Sequence, residues 1–234
     1  MARVEIDFRL VGDDLVVAHD EPRRAARPPL LRDALALARE ELGPTLLELD
    51  AKDDAPWPWP VVERLARLVA PISDRIVVTS PADWNIRRLQ YVDAGLRVGF
   101  DPQYYLDWER RPERLGPPRG AYGYLDAHPL ARRRRLPVAE YMRERLHALA
   151  HFVPGASEIH LRLALLERLL AAGLPDAVAV FHRAGLLVDV WTLDAGSARW
   201  RERLERAVNA GVDIVTTNTP RALAEAWAER RSPG

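Results

Sequence analysis

The sequence predicts an α/β fold built from parallel βα units. Three observations lead to this class. Short apolar runs alternate along the chain with longer segments of helical spacing, which is typical of βαβ units. Several runs, such as 76–78 and 212–215, are largely apolar on both faces, as strands are when helices cover a parallel sheet. The length of 234 residues suits one α/β barrel or one large α/β domain.

The predicted strands are short apolar runs bounded by polar or turn residues. They cover residues 4–10 with 15–18, then 45–51, 75–79, 96–100, 157–161, 186–192 and 212–216. The first two runs flank Gly12-Asp13-Asp14, which predicts a turn between them. If these two runs are counted as one unit, the chain has seven strand units and no repeated domain.

The predicted helices repeat apolar residues every three or four positions. They cover residues 30–42, 60–69, 85–94, 137–152, 162–171, 198–210 and 220–230. Pro60 suits a first helical position, while Gly173 and Gly211 follow helix ends. Residues 101–135, rich in Pro, Gly, Tyr and Arg, are predicted to form a long loop of the kind that often determines specificity. The arginine run 132–135 could contact phosphates, but a solvated helix start is the favoured interpretation.

Composition excludes several classes of function. The 34 basic residues balance the 34 acidic ones, so no overall charge favours a nucleic acid or an acidic lipid surface as partner. The absence of cysteine excludes disulfides and thiolate metal sites. No run approaches the roughly 18 apolar residues of a membrane span, and the N-terminus does not resemble a signal peptide. We therefore expect a soluble protein of a reducing compartment, the cytoplasm.

Glu5 and Asp7 alternate with Val4, Ile6 and Phe8, so the two acids share one face of the first strand. Two interpretations are open. In an amphipathic antiparallel strand both acids would face water. In a parallel barrel they would point inward, where unpaired carboxylates repel and cost several kcal/mol. A divalent cation would remove that cost, because Mg²⁺ and Ca²⁺ prefer oxygen ligands.

A third acid and an unusual lysine follow on the next strand. Asp50 and Lys52 project from one face near its C-terminal end, with Glu48 one pleat deeper. Since the active sites of parallel barrels gather at that end of the strands, we expect Glu5, Asp7, Asp50 and Lys52 to converge. Lys52 is the only lysine among the 34 basic residues, which suggests a place where an ammonium differs from a guanidinium. A solvent-facing Asp50–Lys52 ion pair is the alternative.

Histidine is the remaining candidate for proton transfer. His19 follows an apolar run and precedes Asp20, close along the chain to the Glu5–Asp7 pair. A histidine can act as a general acid or base near neutral pH, although a lone loop histidine is more often structural. The other histidines are predicted to be structural, with some interest in His160 at a strand end. They are His128, His147, His151, His160 and His182.

Five segments, in order along nearly the whole chain, resemble the glycerophosphodiester phosphodiesterase family. They are VEIDFRLVGDDLVVAHDEP, LLELDAKD, RIVVTSPADWNIRRLQ, GLLVDVWTLD and GVDIVTTNTPRAL. The first is similar to the family's Glu-x-Asp strand, turn and Val-Val-x-His-Asp segment. The Asp-x-Lys form of the second, in place of the usual Glu-x-Lys, is similar to the sphingomyelinase D-like phospholipases.

This resemblance implies a TIM-type (β/α)₈ barrel and a hydrolase of lipid metabolism that cleaves glycerophosphodiesters to glycerol 3-phosphate and an alcohol. It implies that Glu5, Asp7 and Asp50 bind a divalent cation, Mg²⁺ or Ca²⁺. Lys52 would be catalytic and bind the phosphoryl oxygens, and His19 would transfer a proton. Trp191 would line the pocket of a small-molecule phosphodiester.

The chain also departs from the family pattern. Family members begin with a strand ending in His-Arg-Gly, and that strand and its histidine are absent here. We therefore expect a single barrel domain over residues 1–234 that lacks its first βα unit, leaving the equivalents of β2–β8. Asn218 also stands where an aspartate is usual. A non-catalytic barrel that binds phosphate and metal, or an enzyme that forms a cyclic phosphate, are the alternative functions.

Overall fold

A computed structural model of the protein describes residues 3–23, 27–106 and 137–231. The chain folds into two compact units, the first from residues 1–101 with 153–157 and the second from residues 102–152 with 158–234. The arginine run 132–135, His128 and most of the loop predicted over 101–135 lie outside the described residues. Among the helices that are described, none is long and apolar enough to span a membrane.

The first unit alternates strands and helices. In chain order its elements are β1 Arg3–Val11, β2 Asp14–Val17, α1 Leu31–Glu41, β3 Leu46–Ala51, α2 Trp59–Val69, a 3-10 helix at Ala70–Arg75, β4 Ile76–Ser80, α3 Asp83–Val92 and β5 Val98–Phe100. The strand order is β2-β1-β3-β4-β5, and only β2 is antiparallel to its neighbour. The predicted turn is confirmed: Gly12 joins β1 to β2 with φ +59°, which a residue with a Cβ adopts at a cost.

The second unit continues the same alternation. Its elements are a 3-10 helix at Pro102–Tyr104, α4 Val138–Ala150, β6 Glu158–Arg162, α5 Leu163–Ala171, α6 Ala177–Arg183, β7 Leu187–Trp191, α7 Trp200–Asn209, β8 Ile214–Val215 and α8 Pro220–Arg231. Strands β6, β7 and β8 are parallel neighbours in that order. The predicted parallel βα units are therefore confirmed in each unit, while α6 was not predicted.

Each unit buries apolar side chains of its strands and helices. In the first unit Phe8, Leu49 and Ile76 are fully buried, and so are Leu65 of α2 and Leu89 of α3. The second unit buries Val188 and Val190 of β7 with apolar residues of α4, α5 and α6, namely Leu146, Leu166 and Phe181. Burial of this kind drives folding, and in β1 and β3 it leaves the opposite face of the strand for the acids Glu5, Asp7, Glu48 and Asp50.

Candidate metal and phosphate site

The register of β1 and β3 brings the predicted acids together. Asp7 is paired with Asp50 across the two parallel strands, and Glu5 is paired with Glu48 one pleat earlier. Side chains two residues apart share a face, so all four carboxylates lie on one side of the sheet. Oxygen atoms of Glu5, Asp7 and Asp50 lie within 4.8 Å of one another. The prediction that these three acids converge is confirmed.

Lys52 joins this carboxylate cluster (Glu5, Asp7 and Asp50) from the end of β3. Its Nζ lies 2.8 Å from Asp7 Oδ1 and donates a short hydrogen bond to Asp50 Oδ2. Burial lowers the pKa of the ammonium, but the charge of Asp50 and the hydrogen bonds to Asp50 and Asp7 outweigh it, so the pKa is raised. Lys52 therefore stays charged at neutral pH, inside the cluster rather than in a solvent-facing pair.

The carboxyl of Glu5 has a raised pKa in the cluster. Although the Glu5 side chain is exposed overall, desolvation of its carboxyl group among the neighbouring side chains raises its pKa to about 7. The charges of Asp50, Glu48 and Asp7 raise the pKa further, and Lys52 opposes them. One ammonium therefore does not neutralise the acids around Glu5. Three carboxylates at this spacing suit a hard divalent cation, which prefers oxygen ligands and would supply the missing positive charge. The donor set fits Mg²⁺ or Ca²⁺.

Two residues that sequence analysis did not identify support the cluster. Thr79 on β4 is the register partner of Asp50, and its hydroxyl lies 3.3 Å from Asp50 Oδ1 and 3.2 Å from Glu48 Oε1. Arg3 donates to Glu48 Oε2 at 3.0 Å. The signal for Thr79 was available, because a polar residue near the end of a buried apolar strand is a candidate site residue.

His19 lies on the hairpin but faces solvent. Its Nδ1 is 2.9 Å from Asp20 Oδ1, and 59% of its side chain is exposed. The Nε of Arg9 donates to the backbone oxygen of His19 at 2.8 Å. In the part of the chain that the structure describes, Asp20 is the only side chain paired with the His19 ring. The structure does not bring the ring to the carboxylate cluster, and its catalytic role stays a prediction.

Trp191 belongs to the second unit, at the end of β7. It is half-buried, and its register partner on β6 is Arg162, whose guanidinium carbon lies 5.6 Å from the centre of the Trp191 ring. This is the distance of a cation–π contact. The substrate-binding role of Trp191 stays a prediction.

Next to it, a buried histidine network (Glu158, His160, Asp189 and Thr216) connects the three strands of the second unit. The two ring nitrogens of His160 lie 3.0 Å from Glu158 Oε1 and 3.0 Å from Asp189 Oδ2. Thr216, just after β8, donates to the same Asp189 oxygen at 2.9 Å. His160 is 4% exposed, so a substrate in solvent does not reach its ring.

Asn218, which replaces the usual aspartate, interacts with a carboxylate. Asp194 accepts hydrogen bonds from the Asn218 backbone N–H at 2.6 Å, from its side-chain Nδ2 at 3.0 Å and from the Thr217 hydroxyl at 3.1 Å. The side-chain hydrogen bond from Asn218 lowers the pKa of Asp194. An aspartate at 218 would lose that donor and repel Asp194, which explains the amide in this chain.

Solved structures share the fold over nearly the whole chain. A glycerophosphodiester phosphodiesterase from Parabacteroides distasonis is 16% identical, with a TM-score of 0.63 over 97% of this chain and 84% of that chain. A second glycerophosphodiester phosphodiesterase, from Agrobacterium tumefaciens, is 16% identical, with a TM-score of 0.58 over 95% of this chain and 86% of that chain. A phosphodiesterase from Oleispira antarctica, in complex with the product sn-glycerol-3-phosphate, is 13% identical, with a TM-score of 0.56 over 97% of this chain and 85% of that chain.

These structures confirm the predicted fold class: the chain has the α/β fold of the TIM-barrel type that glycerophosphodiester phosphodiesterases adopt. No family model matches the sequence, and no curated protein matches it. The single-domain organisation, the absence of the first βα unit and the similarity to sphingomyelinase D-like phospholipases stay predictions.

Proposed function

We propose that this protein is a metal-dependent phosphodiester hydrolase that converts glycerophosphodiesters to glycerol 3-phosphate and an alcohol. The observation that carries the proposal is the carboxylate cluster with Lys52, which lies toward the C-terminal end of the segment over which the parallel strands β1 and β3 are paired. This is the end at which barrel enzymes gather their active sites. The fold shared with a phosphodiesterase bound to sn-glycerol-3-phosphate supports the same substrate class.

In this proposal Glu5, Asp7 and Asp50 hold one Mg²⁺ or Ca²⁺ ion. The bound ion would act as a Lewis acid on a phosphoryl oxygen and neutralise charge that develops there. The three acids would hold the cation where solvent and substrate can reach it, because Glu5 is exposed and Asp7 and Asp50 are half-buried. Glu48 and Thr79, deeper on the same face, orient the ligands rather than contact substrate.

Lys52 is the residue that binds the phosphoryl group directly. Its ammonium is held by Asp7 and Asp50, and 20% of the side chain is exposed, so one side of it reaches solvent. A fixed positive charge aimed at oxygens that become more negative in the transition state accelerates the reaction, because it costs no reorganisation at that moment. Lysine rather than arginine suits this place, since a compact ammonium fits between two carboxylates.

His19 and Trp191 complete the proposed machinery. In hydrolysis the oxygen of water bonds to phosphorus and releases a proton to solvent, while the ester P–O bond breaks and the leaving alcohol oxygen takes up a proton. His19 donates that proton, and Trp191 lines the substrate pocket. The proposal extends to a cytoplasmic enzyme of lipid metabolism whose partner is a small-molecule phosphodiester and not a nucleic acid, in keeping with the cysteine-free, charge-balanced chain.

A second candidate function rests on His19. The exposed ring pairs with Asp20 and not with the carboxylate cluster, which favours a barrel that binds cation and phosphate without turnover. An enzyme in which a hydroxyl of the substrate attacks phosphorus, to give a cyclic phosphate, differs from hydrolysis in its product. Binding and product analysis therefore separate the three functions.

The test is turnover of glycerophosphocholine by the purified protein with Mg²⁺ or Ca²⁺, with products identified by ³¹P NMR. We expect glycerol 3-phosphate, and we expect Glu5→Gln to abolish its formation. Glu40→Gln is the matched control, because Glu40 is an exposed acid on α1, away from the cluster. Binding of cation and glycerol 3-phosphate without turnover would establish the second candidate instead. A ³¹P signal of a cyclic phosphate would show that a hydroxyl of the substrate, and not water, attacks phosphorus.

A further inference from the structure

The carboxylate of Asp53, next to Lys52, bonds two groups that are distant along the chain. Its Oδ2 accepts the backbone N–H of Leu10 on β1 at 2.9 Å and the indole Nε1–H of Trp57 at 2.9 Å. Across the described ranges 3–23, 27–106 and 137–231, its carboxylate makes no hydrogen bond or ion pair with Lys52. Asp53 therefore acts on its neighbour only through the backbone.

These hydrogen bonds continue the sheet beyond the end of β3. The backbone N–H of Lys52 donates to Phe8 O at 3.0 Å, one step beyond the last residue pair of β1 and β3. The next outward donor on β1 is Leu10, which lies beyond the last residue pair of β1 and β3 and donates to the Asp53 carboxylate. The Asp53 carboxylate takes the place of a backbone carbonyl. The chain is thus held to β1 at two consecutive residues, at Lys52 through its N–H to Phe8 O and at Asp53 through its carboxylate to Leu10 N–H.

The indole that completes this arrangement is itself fixed. Trp57 is 1% exposed, and its ring centre lies 5.7 Å from that of Phe8. Its backbone N–H donates to Asn85 Oδ1 at 2.8 Å, while Asn85 Nδ2 donates to Ala55 O at 3.0 Å. Asn85 is fully buried on α3. The segment after Lys52 is therefore held by hydrogen bonds at Asp53, Ala55 and Trp57.

We propose that Asp53 is a positioning residue for Lys52. By bonding Leu10 N–H and Trp57 Nε1–H it sets the backbone at Lys52, and this backbone places the ammonium between Asp7 and Asp50. Four side-chain torsions separate the Lys52 backbone from its ammonium, so an ordered backbone is a condition for an ordered charge. The catalytic part of this inference rests on the proposed function, whereas the positional part does not.

The single lysine of the chain allows a direct test. Protein grown with ¹³C,¹⁵N-lysine gives NMR signals from Lys52 alone, both from its backbone N–H and from its Cε and Nζ atoms. The informative variants are Trp57→Phe, which keeps an aromatic ring but removes the N–H to Asp53, and Asp53→Asn, which keeps a carbonyl oxygen. Trp59→Phe is the matched control, because Trp59 is 46% exposed and its change removes an indole N–H elsewhere.

We expect Trp57→Phe and Asp53→Asn to speed exchange of the Lys52 backbone N–H about tenfold, as the loss of one charge-assisted hydrogen bond would. The side-chain signals of Lys52 should narrow and move toward those of free lysine. Trp59→Phe should leave all of these signals as in the unmodified protein. If Trp57→Phe folds and leaves the Lys52 signals unchanged, the positioning role is wrong, whatever Asp53→Asn does.

Activity adds an independent arm. If the protein hydrolyses glycerophosphodiesters, Trp57→Phe should lower kcat about tenfold with KM nearly unchanged, because a displaced ammonium loses its interaction in the transition state. An equal loss of kcat in Trp59→Phe would contradict this. Absence of turnover in the unmodified protein would contradict the proposed hydrolase function. The NMR experiment would still test whether Asp53 positions Lys52.

Discussion

The carboxylate cluster of the first unit and the buried histidine network of the second use the same chemistry in different ways. Each places acids and one basic side chain on neighbouring parallel strands. Register pairs Asp7 with Asp50 in the first, and His160 with Asp189 in the second. His160 and Asp189 are 4% and 1% exposed, and each ring nitrogen faces one carboxylate. In the cluster Glu5 is exposed and keeps a raised pKa of about 7.

The difference teaches how to separate structural from functional charge in this fold. A buried histidine whose two ring nitrogens each lie beside a carboxylate is a completed arrangement, and removing the ring takes a hydrogen-bond partner from both acids. A partly exposed group of acids with too little positive charge is incomplete without a ligand, and perturbed pKa values of this kind mark functional sites. We expect stability to depend on the histidine network, and function on the cluster.

The largest expected effect is on stability, from His160→Ala. Removing the ring takes the His160 partner from two buried carboxylates, Glu158 and Asp189, and each buried hydrogen bond lost in this way costs about 1–3 kcal/mol. Urea unfolding followed by tryptophan fluorescence measures the change in the free energy of unfolding. His182→Ala is the control, since His182 also pairs with an aspartate, Asp213, but is 39% exposed. Equal losses of unfolding free energy in the two variants would mean that burial does not make the His160 network more important for stability than the exposed His182–Asp213 pair.

Next in size is the loss of function in Lys52→Met. This change removes the ammonium between Asp7 and Asp50 while keeping a side chain of similar length, and we expect turnover to fall at least about a hundredfold, near 2.7 kcal/mol. Lys52→Arg should not restore it, because the planar guanidinium does not fit where the ammonium lies. Steady-state kinetics at saturating cation measure both. Full activity in Lys52→Arg would contradict a requirement for a compact charge.

The carboxylate cluster could be predicted from the sequence more completely than the residues around it. Alternation with period two places Glu5 with Asp7 and Asp50 with Lys52, and parallel strands bring their ends together, so local patterns were sufficient. Nothing local connects Asp53 to Leu10, or Thr79 to Asp50, because those contacts depend on register between strands and on a loop. For His19 the sequence suggested a proximity that the structure does not show: the residue is close to the acids along the chain, but its ring does not lie beside them.

The fold was predictable for the same reason, with one exception. Strands bounded by turns and helices bounded by proline or glycine carry local signals, and these gave bounds close to those observed. Helix α6, Ala177–Arg183, escaped prediction because its seven residues are too few to show a helical period. Its valines and phenylalanine also favour strands in isolation, so packing rather than intrinsic preference decides its conformation.

A smaller effect is expected on the free energy of unfolding, which should depend on both pH and cation because of the negative charge in the cluster. The pKa of Glu5 is about 7 in the folded protein against an ordinary value of 4.5 for glutamate, so the folded state holds a proton that the unfolded state releases between these pH values. Stability without cation should therefore fall as pH rises from about 5 to 7. At pH 8, Ca²⁺ or Mg²⁺ at ten times its Kd should add about 1.4 kcal/mol.

Thermal unfolding across pH, with and without cation, measures both parts of this prediction. Glu5→Gln should flatten the pH dependence and reduce the stabilisation by cation, because it removes the titrating group and one ligand. Glu40→Gln should change neither. A cation effect that survives unchanged in Glu5→Gln would place the ion elsewhere.

The smallest expected effect comes from Asn218→Asp, which restores the aspartate usual in the family pattern. Asp194 would lose the donor Nδ2 and face a second carboxylate, so we expect a loss of about 1 kcal/mol at pH 7 by urea unfolding. The pKa of Asp194 is lowered from 3.8 in the present chain, mainly by the Asn218 side chain, so that interaction stabilises above pH 4 and disappears as pH falls. The penalty should accordingly shrink toward pH 3. Asn218→Ser removes the Nδ2 donor without adding a charge, so it separates the lost hydrogen bond from the repulsion. If Asn218→Ser loses as much stability as Asn218→Asp, the hydrogen bond and not the repulsion makes asparagine the better residue beside Asp194.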